Sequence, residues 1–219
     1  DPRVQNAIPL SGFESIMPTY QMLKAMCHTY DDLRIDKHHM MVISPDEGAL
    51  NRNIYYSSAM GVDMGMFYKR RDYTRVVNGR NPIVAHEYLG DSVEGKDVFV
   101  ADDIIASGDS ILDLAYNLKK RKAKRVFAGA TFAFFTSGLE AFDKAYADGV
   151  IDQVFATNLT YTPQTVLDRP WFSQADMSKY MAFVIATLNH DQSLSYLLNP
   201  WNRIEKLLTK YRAEHPYED

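Results

Sequence analysis

Val98-Phe99-Val100-Ala101-Asp102-Asp103-Ile104-Ile105-Ala106-Ser107-Gly108-Asp109-Ser110 carries the most information in this sequence. An apolar run too continuous for a half-exposed strand ends in two carboxylates, passes through a small-residue turn and opens into an amphipathic stretch. Uninterrupted apolar strands belong to parallel sheets covered on both faces. In such a turn the backbone N–H groups point outward and the following helix dipole adds positive potential, so a phosphate dianion is the natural guest. Ser107 and Ser110 add hydroxyl donors. Asp102 and Asp103 would repel a phosphate, but they suit sugar hydroxyls and the water shell of a divalent cation. Together these features describe a site for a phosphorylated sugar. The competing reading makes the carboxylates turn caps, with Asp109 or Ser110 as the helix N-cap.

Working outward, short apolar runs alternate with amphipathic ones. Met40 to Ile43 predicts a buried strand, Ser44 to Gly48 a turn, and Gly48 to Met60 a helix. Met64 to Tyr68 predicts a strand ending in Lys69-Arg70-Arg71-Asp72, and the polar stretch Tyr73 to Pro82 a loop. Ile83 to His86 with Tyr88-Leu89 predicts another strand, and Glu94 to Asp97 a turn before the central one. After it, Ile111, Leu114, Ala115 and Leu118 share a helical face. Arg125 to Ala133 follows as a strand, Leu139 to Ala147 as a helix capped by Gly149, and Val154 to Thr157 as a strand. This alternation predicts an α/β fold with a parallel sheet and right-handed crossovers. Two C-terminal helices are expected. One runs from Ser178 to His190 with Met181, Val184, Ile185 and Leu188 inward; the other runs from Pro200 to Tyr211 with Trp201 packing it onto the body.

The bulk properties narrow the class. The chain has 219 residues, 46% hydrophobic and 24% charged, with a net charge of -4, which suits a soluble globular protein and gives no reason to expect nucleic acid. Its one basic block, Lys119 to Lys122 with Lys124 and Arg125, sits at a helix C-terminus, where cations complement the dipole. The single cysteine, Cys27, excludes an intrachain disulfide and points to a reducing, cytoplasmic setting. No apolar run has transmembrane length, so no membrane association is expected. The histidines show no transition-metal spacing. The start at Asp1 suggests a fragment.

The thirteen-residue string resembles the phosphoribosyl-pyrophosphate (PRPP) signature of type I phosphoribosyltransferases and PRPP synthases. Further matches point to the C-terminal, phosphoribosyltransferase-like half of a ribose-phosphate pyrophosphokinase. Ser44-Pro45-Asp46-Glu47-Gly48 with Arg52 resembles that family's pyrophosphate loop, and Lys69-Arg70-Arg71 its basic motif at the base of a flexible loop. Weaker matches lie at Gln5, at Glu94 to Asp97 and at His190 to Leu198. The chain departs from the family at Gly108-Asp109, where a Gly-Gly-like pair is usual, and at Ala106, where PRPP synthases commonly carry Asp.

The resemblance implies a type I phosphoribosyltransferase-like fold over residues 1–198, with residues 199–219 as a helical tail. It implies that Asp102, Asp103, Ala106, Ser107, Gly108, Asp109 and Ser110 bind ribose 5-phosphate. Ser44, Pro45, Asp46, Gly48 and Arg52 would hold the pyrophosphate, Asp46 would meet Mg, and Lys69 and Arg71 would be catalytic. The implied reaction turns ATP and ribose 5-phosphate into PRPP and AMP. An N-terminal half supplying the adenine pocket would precede Asp1, so the chain alone is expected to bind rather than turn over. Dimers assembling into hexamers are implied. The alternatives are a phosphoribosyltransferase, for which no base-recognition hood is visible, and a non-catalytic PRPP synthase-associated subunit.

Overall fold

Central strands that are apolar on both sides need cover on both faces, and the chain supplies it with helices between them. The computed structural model describes residues 7, 13–71 and 83–216, and for residues 69–71 and 83–86 the main chain alone. Gln5 and the expected loop Tyr73 to Pro82 lie outside the described residues. In chain order the elements are α1 (Thr19–Thr29), β1 (Met40–Ser44), α2 (Leu50–Met60), β2 (Asp63–Arg71), β3 (Ile83–Leu89), β4 (Asp97–Ile105) and α3 (Asp109–Lys120). They continue with β5 (Arg125–Ala133), α4 (Glu140–Ala147), β6 (Gln153–Thr157), α5 (Gln164–Leu167), β7 (Phe172–Ala175), α6 (Ser178–Asn189), α7 (Ser195–Leu198) and α8 (Trp201–Glu214).

The strands form one sheet in the order β3-β2-β1-β4-β5-β6-β7. Pairs from β2 through β7 are parallel, as the alternation predicts. The exception is β3, which runs antiparallel to β2 at the sheet edge. Only residues 72–82 separate these strands, fewer than the dozen or so that a parallel crossover requires.

Alternation along β4 sends its side chains to two cores. Val98 and Val100 join Leu114, Leu118, Phe142 and Trp171 under α3 and α4. Phe99 and Ala101 join Met22, Met26, Tyr56, Ile204 and Leu208 under α1, α2 and α8. The C-terminal α8 is fastened at its far end by Tyr211, whose hydroxyl donates to the Tyr30 carbonyl at 2.7 Å and accepts from Leu33 N–H at 3.0 Å. Trp201 packs on Tyr55 with ring centroids 5.3 Å apart.

One expected face is rotated. In α6 Tyr180, Val184 and Thr187 are buried and Met181 packs beside them, whereas Ile185 and Leu188 are 65% and 56% exposed. The segment is apolar on nearly every side, so periodicity does not fix its phase. Tyr180 does so instead, because its buried hydroxyl donates to the Leu197 carbonyl at 3.1 Å. Helix α1 and strand β7 carried no signal in the sequence reading.

Candidate functional site

Strand order reverses between β1 and β4. From β1 the chain continues outward to β2 and β3, while β4 leads the other way to β5, β6 and β7. In open α/β sheets, ligands bind beyond the strand carboxyl ends at such a switch point. The two loops singled out from sequence leave the sheet there, 45–49 after β1 and 106–108 after β4.

The first loop is built around Asp46. Its Oδ1 accepts the Ala49 N–H at 3.1 Å, and the Ser44 hydroxyl donates to the Asp46 carbonyl at 2.8 Å. Asp46 thus closes the turn that leads into α2, whose N-cap position is Ala49, while its Oδ2 accepts no hydrogen bond from the described residues. A Cβ on Gly48 would come within 3.3 Å of Asp46 Oδ1, so glycine leaves that carboxylate room. Pro45 is buried and Gly48 exposed at the rim.

The second loop begins later than the sequence suggests. Strand β4 runs on through Asp102 and Asp103 to Ile105, pairing Asp102 with Ala130 and Ile104 with Phe132 of β5. The ladder continues past the strand ends, with Phe134 N–H donating to Ile105 O at 2.8 Å and Thr136 N–H to Ala106 O at 2.9 Å. These bonds hold the turn rigidly against β5. Gly108 at φ 94° is the N-cap position of α3, so neither Asp109 nor Ser110 caps the helix. Asp109 lies in the first turn instead, and its Oδ2 accepts the Ser107 hydroxyl at 2.9 Å. That bond turns a presumed phosphate donor toward a carboxylate. Ser110 and Ala106 are exposed at the mouth.

Arg52 reaches the paired carboxylates. From α2 its Nη1 reaches Asp102 Oδ1 at 3.3 Å and its Nη2 reaches Asp103 Oδ2 at 3.5 Å. The two carboxylates each also accept the next residue's N–H, at 2.8 Å for Asp102 and 2.9 Å for Asp103. Burial, a hydrogen bond to Asp103 and the Asp103 charge raise the Asp102 carboxyl to about 6, against the pull of Arg52. Burial would raise Asp103 too, but the hydrogen bond from Asp102 and the Arg52 charge outweigh it and hold Asp103 below the ordinary value. The pair therefore binds one proton more readily than two free carboxylates would.

Asn53, one residue beyond Arg52, had no signal in the motif. It is fully buried. Its Oδ1 accepts the Ala101 N–H at 3.1 Å, and its Nδ2 donates to the carbonyls of Ala101 and Ala49, both at 2.9 Å. Ala101 pairs with Gly129 of β5, but the β1–β4 ladder stops at Val42 and Phe99, so this amide takes the place of a strand partner on the β1 side. Asn53→Ala should lower stability by about 2–3 kcal/mol in urea unfolding, because it orphans a buried N–H and C=O together.

Lys69 and Arg71 lie on β2, beside β1, with a register shift between Arg70 and Arg71; their side chains are outside the description. Among the described residues, no three His, Cys, Asp or Glu side chains form a metal cage. A magnesium ion carried in by phosphates needs only one or two protein carboxylates, and Asp46 with its open Oδ2 fits that demand. No helix among the described residues is long and apolar enough to cross a membrane.

A mostly parallel sheet with two loops at its switch point and paired carboxylates beside them is the architecture of a phosphoribosyltransferase-type domain. The phosphoribosyl transferase domain model matches residues 15–161, and the chain belongs to that family. Within it, the chain is 34% identical over 160 residues to the ribose-phosphate pyrophosphokinase of Vibrio cholerae, an alignment covering 73% of this chain and 48% of that protein. It is 29% identical over 187 residues to the Chromobacterium violaceum enzyme of the same name, covering 85% and 52%. The crystal structure of phosphoribosylpyrophosphate synthetase from Mycobacterium smegmatis shares the fold, with a TM-score of 0.60, 22% identity, and coverage of 78% of this chain and 51% of that one. The resemblance read from the motifs is thus borne out. The chain spans about half the length of the curated relatives it matches.

Proposed function

We propose that this chain carries the ribose 5-phosphate and diphosphate sites of a ribose-phosphate diphosphokinase. The observation that supports the reading best is Arg52, which follows the diphosphate-type loop on α2 and reaches both carboxylates of the sugar-phosphate strand with one guanidinium. In this proposal the 5-phosphate sits on the turn of Ala106, Ser107, Gly108, Asp109 and Ser110, held by first-turn N–H groups that have no intrahelical acceptor. Asp102 and Asp103 accept hydrogen bonds from the ribose hydroxyls. Ser44, Pro45, Asp46, Gly48 and Arg52 receive the diphosphate, and Asp46 offers Oδ2 to the magnesium that accompanies it.

Magnesium, when bound, would neutralise charge on the phosphate oxygens. In the transfer, the C1 hydroxyl oxygen of ribose 5-phosphate attacks the β-phosphorus of ATP and loses its proton. The bond from that phosphorus to the α,β-bridging oxygen breaks, and AMP leaves with the oxygen. Lys69 and Arg71 are the proposed cations for the charge that builds up on the transferred group. For this chain by itself the proposal is binding. Turnover, and assembly into dimers or hexamers, are proposed for a polypeptide of the relatives' length.

The carboxylate pair supplies a test in which stability and binding move in opposite directions. Because the folded value of Asp102 lies above its ordinary 3.8, folding takes up protons, and this group's contribution to stability is lost as pH rises from 3.8 to about 6. Above that window the charged form is a liability. Asp102→Asn keeps the acceptor for Asp103 N–H and offers an amide donor to the Asp103 carboxylate, so it should stabilise the chain by about 1–3 kcal/mol at pH 8 and by little at pH 4. The same substitution should weaken ribose 5-phosphate binding about tenfold or more, since a carboxylate acceptor for a sugar hydroxyl is lost. Denaturant melts at both pH values with calorimetric titrations check this. Unchanged ligand affinity together with lost stability would leave Asp102 as a turn cap and overturn the proposed role.

A further inference from the structure

We infer that Asn53 is a positioning residue that sets the diphosphate loop and the sugar carboxylates at the spacing one ligand must span. This rests on the sugar-phosphate and diphosphate reading above and deepens it. Asn53 touches neither proposed ligand. Its side chain is fully buried, and its hydrogen bonds go to Ser44, Ala49 and Ala101 at the root of the two loops. Besides the paired bonds to Ala101, its Nδ2 reaches the Ala49 carbonyl at 2.9 Å and lies 3.4 Å from Ser44 Oγ. Ser44 in turn donates to the Asp46 carbonyl at 2.8 Å. One amide thereby links the start of the first loop, its end, and the residue that immediately precedes Asp102.

The placement has a geometric reason. Strand β1 pairs with β4 only as far as Val42 and Phe99, while Ile43 and Ser44 stay paired with β2 until the first loop leaves the sheet. Two strands that part at their carboxyl ends open a crevice, and they also lose the ladder that would keep its walls at a fixed separation. Asn53 reaches across from α2 and satisfies both polar groups of Ala101 at that point, so the crevice opens without the walls drifting. Arg52 is its chain neighbour and reaches the two carboxylates that follow Ala101. The same anchor therefore fixes where the Arg52 guanidinium stands relative to Asp102 and Asp103.

The distinguishing consequence lies in which ligands are affected. Ribose 5-phosphate would use the turn and carboxylates of β4 alone, whereas Mg–PRPP would span both loops. Releasing the strut should weaken the spanning ligand by about tenfold to a hundredfold, the usual effect of misplacing binding groups by an ångström, and change the other by less than about threefold. The experiment is calorimetric titration of the whole chain and its Asn53→Ala variant with each ligand, at a temperature where circular dichroism shows both folded. Asn53→Asp, which keeps the size and the acceptor for Ala101 N–H but loses the donors, is the second variant should the first not fold. A cycle with Arg52→Ala adds a readout that a merely structural role would leave additive: once Asn53 is removed, losing Arg52 should cost the Mg–PRPP complex much less than it costs the native chain. Selective loss of Mg–PRPP affinity with a coupled cycle supports the proposal. Equal weakening of both ligands, or an additive cycle, overturns it while leaving the sugar-phosphate reading intact. Absence of binding by the native chain overturns that reading and this inference with it.

Discussion

Arg125→Met should lower the unfolding free energy by about 3–5 kcal/mol, the largest effect expected of any single substitution here. Arg125 opens β5 directly beside Asp97, the first residue of β4. Its Nε donates to Asp97 Oδ1 at 2.9 Å and its Nη2 to Asp97 Oδ2 at 2.6 Å, a bidentate pair in which the aspartate side chain is only 4% exposed. Nη1 turns outward to Asp32, at 2.8 and 3.0 Å, and the guanidinium lies over the Tyr30 and Phe127 rings. Methionine fills most of the volume but leaves the Asp97 carboxylate buried without a counter-charge. The cost comes from that orphaned charge, since an ion pair set in an apolar site contributes little net stability as a whole. Asp97→Leu combined with Arg125→Met should therefore recover most of the loss. Urea unfolding of the single and double variants checks both values, and a double variant no more stable than Arg125→Met alone would refute the explanation. The pair lies at the amino ends of the strands, away from the proposed site, so ligand affinity at a temperature where the variant is folded should not change.

Gly108→Ala should damage stability and site together. The residue sits at φ 94°, where L side chains rarely go, and a Cβ there would overlap the Phe142 ring. Phe142 cannot retreat: it is fully buried, stacked on Trp171 at 5.2 Å and edge-on to Phe135 at 5.0 Å. Backbone strain and overpacking together should cost about 2–4 kcal/mol. Since the bonds from Thr136 and Phe134 pin the start of the turn, the shift must fall on Ser107, Gly108 and Asp109, the segment proposed to cradle phosphate. Affinity for ribose 5-phosphate should fall at least about tenfold at a temperature where the variant remains folded. A variant that binds normally would show that the ligand does not use this turn.

Much of the fold was legible because it rests on patterns that physics makes redundant. The apolar runs at 40–43, 98–101, 125–133 and 154–157 each became a sheet strand within a few residues of the expected bounds. Other features depend on partners distant in sequence, which no local pattern records. The phase of α6 is set by Tyr180 reaching Leu197, and β7 is a four-residue strand that exists because β6 offers it an edge. At the site, Asp102 and Asp103 are legible as paired carboxylates between a buried strand and a phosphate-type turn, whereas Asp46 and Arg52 are pointed to by the family resemblance. That Arg52 would face both carboxylates follows only from β1 and β4 being neighbours. Asn53 is silent in the sequence because a buried asparagine in a helix resembles any polar residue until Ala101 is seen to lack a partner on the β1 side. The carboxylate at Asp109 is visible in the sequence, but its bond to Ser107 depends on the turn geometry that Gly108 creates.

The central claim is that the turn and paired carboxylates after β4 hold a ribose 5-phosphate unit. Calorimetric titration of the chain with ribose 5-phosphate, beside a chain carrying both Asp102→Ala and Asp103→Ala, tests it most directly. Saturable one-to-one binding by the native chain that the double variant loses is the predicted result. No binding by the native chain, or equal binding by both, would contradict it.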